Sequence, residues 1–354
     1  MMEYDQRMGD GRLVKMTKEA IREDIEAGAA DAADRGKVPT LSDDDVERLL
    51  DIMLMPGKAV TVEVGNEVVM STDVGHSAID GNYSECGGSG VPLSATSGNQ
   101  ILERSMGADC TTFLWYDYTY KAIKAVITQQ QQELESILMN TICPCAFGAM
   151  PNLGAYYKPD GPFENVGDMM SEGKIMEGME VYEQAAEAAT EDVFWVAKQV
   201  DKVGIDNIMI DTAGAAGDGD LLASLKATEI MKKELGISVE MGMANEYVLG
   251  VHGGMQYAGE RLAGMYAHQL VKVAEKAGVD IFGPVCNTNT RMSTPWNVAR
   301  AVTFLQECDR VSDIPLHPNM GMGVGGIPMV ENPTLDAVTK ASKAMVEIGG
   351  ADGI

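Results

Sequence analysis

V-T-K-A-S-K-A-M-V-E-I-G-G-A-D-G-I, residues Val338–Ile354, is the stretch whose reading decides the fold. It reads as the end of an amphipathic helix, a glycine pair, and then Ala351-Asp352-Gly353-Ile354. Three earlier places share this grammar. They are Met106–Asp109 before T-T-F-L-W-Y-D, Val203–Asp206 before N-I-M-I-D, and Ala277–Asp280 before I-F-G-P-V. In each, the pattern predicts a helix ended by Gly, which adopts the left-handed cap without a Cβ penalty. A short apolar strand follows. The fourth copy stops within its strand, so the expectation is an α/β chain interrupted inside a repeating unit.

From about residue 100 the chain alternates. Strands are predicted at Phe113–Tyr118, Ile142–Gly148, Asn207–Asp211, Ser238–Met243, Asp280–Val285 and Pro315–Met320, with a stub at Gly353. Between most of them lie helical patterns. Apolar residues from Met176 to Val203 recur at steps of three and four. Leu221–Leu235 ends at Gly236, and Met265–Ala277 ends at Gly278. Pro295 and Pro333 stand at the first positions of two more helices. Strands alternating with helices imply a parallel sheet covered on its faces. Seven units begun point to a (β/α)8 TIM barrel, which needs about 250 residues. A doubly wound sheet is the competing fold. On the barrel reading, residues 101–354 are an incomplete catalytic domain, truncated within the seventh strand, and residues 1–100 are an N-terminal extension.

That extension has its own pattern. Thr17–Ala33 and Ser42–Met55 carry helical spacing, and Ser42 followed by three Asp reads as an N-cap with acids in the first turn. Val60–Val64, Gly65-Asn66 and Glu67–Met70 read as a hairpin. Residues 71–99, rich in Gly, Ser and Asn, read as a long loop. A net charge of −26 argues against a nucleic-acid or anionic-membrane partner. The sequence shows no signal peptide and no apolar run long enough to cross a bilayer, which suits the cytoplasm. Six scattered cysteines fit reduced thiols better than a disulfide framework.

In a barrel the chemistry sits at the C-terminal ends of the strands. Read that way, strand one offers Asp117. Strand three offers Asp211, then a loop with Asp218 and Asp220. Strand four offers Glu240, then Asn245 and Glu246, with His252 beyond. Strand five offers Cys286, Asn287 and Asn289, and strand six His317 and Asn319. Several carboxylates converge with no basic residue in the same loops. That suits a cationic substrate or intermediate and proton transfer by a carboxylate. Each of them also has a plainer reading as a loop or helix cap.

Other motifs carry less. Gly321, Gly323 and Gly326 match a dinucleotide fingerprint, but the next helix begins only near Pro333, where a nucleotide site needs it to open at once. The glycines read better as a rim that lets a backbone approach something flat or bulky. The loop at 214–220 has two Asp and no cation, so it is a poor phosphate cradle. Cys143 and Cys145 share one strand face but make only half of a zinc site. Small buried thiols are the plainer reading.

Longer strings carry a resemblance. M-G-D-G (Met8–Gly11), A-D-A-A-D (Ala30–Asp34), M-P-G-K (Met55–Lys58), G-A-M-P-N (Gly148–Asn152) and P-D-G-P-F-E-N (Pro159–Asn165) are the first. D-T-A-G-A-A-G-D-G-D (Asp211–Asp220), F-G-P-V-C-N-T-N-T (Phe282–Thr290), N-M-G-M-G-V-G-G-I-P-M (Asn319–Met329) and A-S-K-A-M-V-E-I (Ala341–Ile348) are the rest. Together they resemble the dimethylamine:corrinoid protein methyltransferases of methanogenic archaea, over the whole chain. In that family the chain continues past A/V-D-G-I with pyrrolysine, read from an in-frame amber codon. Here the sequence ends at Ile354.

The resemblance implies methyl transfer from dimethylamine to the Co(I) corrinoid of a partner protein, in methanogenesis from methylamines. The pyrrolysine imine would hold the amine, and monomethylamine would leave. No cofactor is then expected on the chain itself. The corrinoid belongs to the partner, pyrrolysine is an encoded residue, and no metal ligands are expected. From strand position, Asp211, Glu240, Asn287, His317 and Asn319 are the expected catalytic residues, and Asp117, Asp218 and Asp220 the substrate-binding ones. Gly321, Gly323, Gly325 and Gly326 are the expected corrinoid-facing rim. A homo-oligomer is expected for the full-length protein. The 354-residue form is expected to be inactive and poorly stable, with Val338, Met345 and Ile348 partly wet. Two other readings are a non-catalytic fragment that binds the corrinoid protein, and a zinc enzyme moving methyl from corrinoid to thiol.

Overall fold

The structure, a computed structural model, describes residues 2–73, 112–119, 127–140, 144–251, 253–320, 324–330 and 333–354; side chains at 71–73, 112–119, 129, 133 and 140 are outside this set. In chain order the elements are β1 (Glu3–Arg7), β2 (Leu13–Thr17), α1 (Lys18–Gly36), α2 (Asp43–Leu54), β3 (Met70–Asp73) and β4 (Thr112–Thr119). Then come α3 (Ile127–Asn140), β5 (Cys145–Met150), α4 (Val166–Ser171), α5 (Ile175–Asp201), β6 (Asn207–Ala213), α6 (Asp218–Glu234) and β7 (Ser238–Met243). Last are β8 (Gln256–Tyr257), β9 (Glu260–Arg261), α7 (Ala267–Ala277), β10 (Ile281–Gly283), α8 (Thr294–Val311) and α9 (Leu335–Glu347).

The chain forms two compact units. One comprises Thr72–Thr96 and Phe113–Phe282, the other Met1–Ser71, Ser97–Thr112 and Gly283–Ile354. The boundary expected near residue 100 lies outside the described residues, as do the 74–99 loop and the Met106–Asp109 copy of the repeat.

The first unit is α/β. The sheet runs in the order β10-β7-β6-β5-β4-β3, and β4, β5, β6 and β7 pair in parallel. Phe147, Ala149, Ile208, Ile210, Val239 and Met241 alternate onto one face and are all buried. Helices α3 and α6 pack on this sheet, and α5 packs along α6. Gly204, Gly236 and Gly278 take positive φ where the repeat requires a left-handed residue, and the N–H of Gly278 caps the end of α7.

The acid of each repeat does more than turn the chain. Asp206 donates its N–H to the Cys145 carbonyl at 2.9 Å, and its Oδ2 accepts the Cys145 N–H at 2.8 Å. Asp280 makes the same pair of bonds with Val239, both at 2.8 Å, and Lys232 bridges to its carboxylate. Each acid thus fastens its own strand to the start of a neighbouring one.

In the second unit α1 packs on α2 and against α8, and α9 packs on α2 and α8. The helices α1 and α8 approach closely because Gly28 has no side chain: a Cβ there would lie 2.2 Å from the Trp296 carbonyl. Ser42 caps α2 as expected, accepting from the Asp45 N–H. The β1–β2 hairpin around Met8–Gly11 is an addition to what the sequence suggested.

Three expectations about this unit are corrected. Residues 60–70 contain the turn, with Asn66 N–H donating to the Glu63 carbonyl, but they contain no hairpin strands. Their main chain is held instead by side chains of α9. Val60 N–H donates to Thr339 Oγ1, Glu63 N–H to Glu347 Oε1, and Lys343 Nζ donates to the Thr61 carbonyl. Pro315–Met320 is not a strand either, although Leu316 bonds to Asp352 and Gly353 as a strand start would. The stub at Gly353 pairs in parallel with Val69, and Ile354 N–H donates to the Val69 carbonyl at 2.9 Å. Met345 and Ile348 are buried rather than wet, because the 60–70 segment and α8 lie against α9.

Candidate functional site

Register builds one polar face in the α/β unit. Asp117 stands opposite Gly148, Gly148 opposite Met209, and Met209 opposite Glu240. Partners in a ladder share a face, so these four positions form one row, and Asp211 and Gly242 follow two residues further along. Position 117 thus belongs to the row, although its side chain is outside the described set. Glu240 is fully buried. The sequence set this face apart by placing carboxylates where the other face has only apolar residues.

Asp211 is half-buried, and its Oδ1 accepts the Thr212 N–H at 2.7 Å. It sits directly over Gly242: a Cβ added there would lie 3.2 Å from Asp211 Oδ1 and 3.3 Å from Met209 Cε. Only glycine leaves the carboxylate this seat. The pairing of β6 with β7 slips between Ile210 and Ala213, and Thr212 takes φ +52°. A β-branched residue in the left-handed region is strained, and such irregularities re-aim side chains at the ends of strands.

Immediately beyond lies a cleft of about 300 Å³ at the C-terminal ends of β5 and β6. Met150, Pro151 and Asn152 form one wall, and Thr212, Ala215 and Ala216 the other. The volume is at the low end for ligand pockets and suits a small molecule.

Asp218 and Asp220 open α6 and are both fully buried. Asp220 accepts the N–H groups of Leu153 and Ala216, and burial pushes its carboxyl up to about 6 against the effect of those two bonds. Asp218 accepts from the Tyr182 hydroxyl and from the Val251 N–H, and burial raises it too. The Tyr182 hydroxyl in turn accepts the Gly219 N–H. Both acids therefore bond to the protein's own loops.

The remaining candidates belong to the other unit. Asn287 is exposed and bridges Val324, while its carbonyl accepts from Arg300 Nη1 at 3.2 Å. That same nitrogen donates to Cys286 Sγ at 3.4 Å. Asn319 is exposed, and its carbonyl packs on Gly325, where a Cβ would lie 2.1 Å away. Gly326 likewise lies against the Val298 main chain. For these two glycines the close approach is to the chain's own backbone. Gly321 and Gly323 lie outside the described residues, as do His252 and Cys143. His317 is buried, and its imidazole carbon Cδ2 would lie 3.2 Å from a Cβ on Gly353.

Cys145 is buried, and burial pushes its thiol up to about 12. Among the described residues no three His, Cys, Asp or Glu stand together to hold a metal ion. Among the described residues no helix is long and apolar enough to cross a membrane.

A family model described as dimethylamine methyltransferase matches residues 2–354. Among solved structures, the carboxyl transferase domain from Rhizobium etli pyruvate carboxylase with 3-bromopyruvate is similar at 12% identity and a TM-score of 0.39. That similarity covers 82% of this chain and 39% of the other. A likeness at that level carries no argument.

Proposed function

The chain belongs to the dimethylamine methyltransferase family, and we propose that it transfers a methyl group from dimethylamine to the Co(I) corrinoid of a partner protein, in methanogenesis from methylamines. The observation that carries this is the family match over residues 2–354. The parallel run β4–β7 is then an arc of a (β/α)8 barrel, with the cleft at the strand ends where such barrels work.

The chemistry divides between what these residues supply and what must be added. Dimethylamine at neutral pH is a cation, and a carboxylate at the cleft attracts it. Asp211 is our candidate for that role; its carboxylate is seated on Gly242, next in sequence to the wall residue Thr212. An amine nitrogen must lose a proton to act as a nucleophile, and a positioned carboxylate can accept it. Glu240, on the same face, is the second candidate for holding or passing a proton. The resemblance implies that the electrophile fixing the amine nitrogen is the imine of a pyrrolysine, which that family carries after its A/V-D-G-I string. His317 packs against Gly353, close in sequence to that position. The methyl group then passes from nitrogen to cobalt and monomethylamine leaves. Fixing the amine in one orientation is the main gain.

The corrinoid belongs to the partner protein in this scheme. The test is substrate choice. Methylation of the Co(I) corrinoid protein, followed by its visible spectrum, is expected with dimethylamine and not with methanol or trimethylamine. Methylation with either of those but not with dimethylamine would refute the reading.

A further inference from the structure

Both walls of the cleft are fastened to a single carboxylate. Leu153, directly after Pro151 and Asn152 of one wall, donates its N–H to Asp220 Oδ1 at 2.8 Å. Ala216 of the other wall donates its N–H to Asp220 Oδ2 at 2.6 Å. Asp220 is fully buried on the first turn of α6, so the oxygens have no water as an alternative partner. We propose that Asp220 is a positioning residue that sets the separation of the two walls, and that a single proton on it loosens its hold on one wall and slackens the cleft.

The chemistry of the group requires this. An ionised carboxylate accepts on both oxygens, whereas a protonated one turns one oxygen into a donor. That hydroxyl oxygen has lost its charge and is a weaker acceptor for the backbone N–H it faces. The hold on one wall is then weakened. Because burial lifts the carboxyl to about 6, the change falls within a range the protein meets near neutrality.

Among the described residues, Tyr157 and Tyr182 feel the charge of Asp220, and Asp218 stands two residues before it on the same helix. The two phenols are raised by burial, so they stay neutral across this range. Asp218 is also raised, but it holds Val251 and Tyr182 rather than either wall of the cleft. Its titration is therefore read at a different amide.

The effect on the loops stands by itself, whereas the effect on catalysis rests on the cleft being the amine site. The experiment separates them. Hydrogen-exchange protection factors of the Leu153 and Ala216 amides, corrected for intrinsic exchange, are measured on the whole protein from pH 8 to pH 5. Loss of a hydrogen bond to a charged group is worth about tenfold or more in local opening. Protection of at least one of the two amides is expected to fall by about that factor as pH crosses about 6. Asp220→Asn, which carries an NH2 where the proton would sit, is expected to show the low protection already at pH 8 and no step. In the form carrying pyrrolysine, the KM for dimethylamine is expected to rise with the same pH profile in the wild type and to be raised and flat in the variant, with kcat changed less. Flat protection in the wild type overturns the proposal, as does a step that persists in Asp220→Asn. If the loops respond and KM does not, the clamp stands and the amine site lies elsewhere. Should the variant fail to fold, the wild-type series decides alone.

Discussion

Asp352 and Leu316 hold each other twice: Asp352 N–H donates to the Leu316 carbonyl at 3.0 Å, and its Oδ2 accepts the Leu316 N–H at 2.9 Å. This is the arrangement of Asp206 with Cys145 and of Asp280 with Val239. Three copies of one glycine–x–aspartate signature thus perform one task. In each, the acid accepts an amide at or near the start of a neighbouring segment: β5, β7 or the stretch at Leu316. Register follows, because the lock admits one alignment.

The lock predicts a stability cost. Asp206→Ala and Asp352→Ala each leave a main-chain N–H with no acceptor, which costs about 1–3 kcal/mol. Urea unfolding should show the midpoint falling with little change in slope. Unchanged midpoints in both variants would mean that the ladder alone sets register.

Gly242 predicts an effect on chemistry with little effect on folding. Gly242→Ala places a methyl 3.2 Å from Asp211 Oδ1 and must push the carboxylate by a few tenths of an ångström. Misplacement of this order is expected to slow turnover about tenfold or more. Asp211→Asn, which removes the charge, should slow it about 10²–10⁴-fold. Rates equal to wild type in both would remove Asp211 from the proposed site.

Asp220 predicts a slope of stability with pH. Its carboxyl keeps its proton to about 6 when folded, against an ordinary value of 3.8 when unfolded. Between these values the folded state binds more protons, so stability falls as pH rises from about 4 to about 6 and is level above. The gap is worth about 3 kcal/mol at neutral pH. Asp218 is raised as well and adds a slope of the same sign. Asp220→Asn should flatten part of this slope, as measured by urea midpoints at pH 4.5 and 7. A slope unchanged by the substitution would show that the charge of Asp220 is not held at the expense of the fold.

Much of this was legible in the sequence. The glycine–x–aspartate repeat gave the alternation of strands and helices, since left-handed caps and apolar strands are local properties. Ser238–Met243 was placed to the residue. The failures are where long-range contacts replace local preference. Val60–Val64 has strand chemistry, but α9 side chains take its amides. Of the candidate site, Asp211 and Glu240 stand out in the sequence because carboxylates interrupt apolar strands. Gly242 was not singled out, since a glycine within a strand gives no sign of which side chain lies over it. Asp218 and Asp220 carry loop-like spacing that suggested substrate contacts, and nothing in that spacing reveals that their oxygens hold Val251, Leu153 and Ala216.

The central claim is dimethylamine-dependent methyl transfer through an electrophile after Ile354. It is tested most directly by mixing purified protein with dimethylamine and the reduced corrinoid protein, and following conversion of Co(I) to methyl-Co(III) spectroscopically. The form carrying pyrrolysine at position 355 and the chain ending at Ile354 are compared side by side. The account predicts methylation with the first and none with the second. Equal rates with the two forms, or no methylation by either, would contradict it.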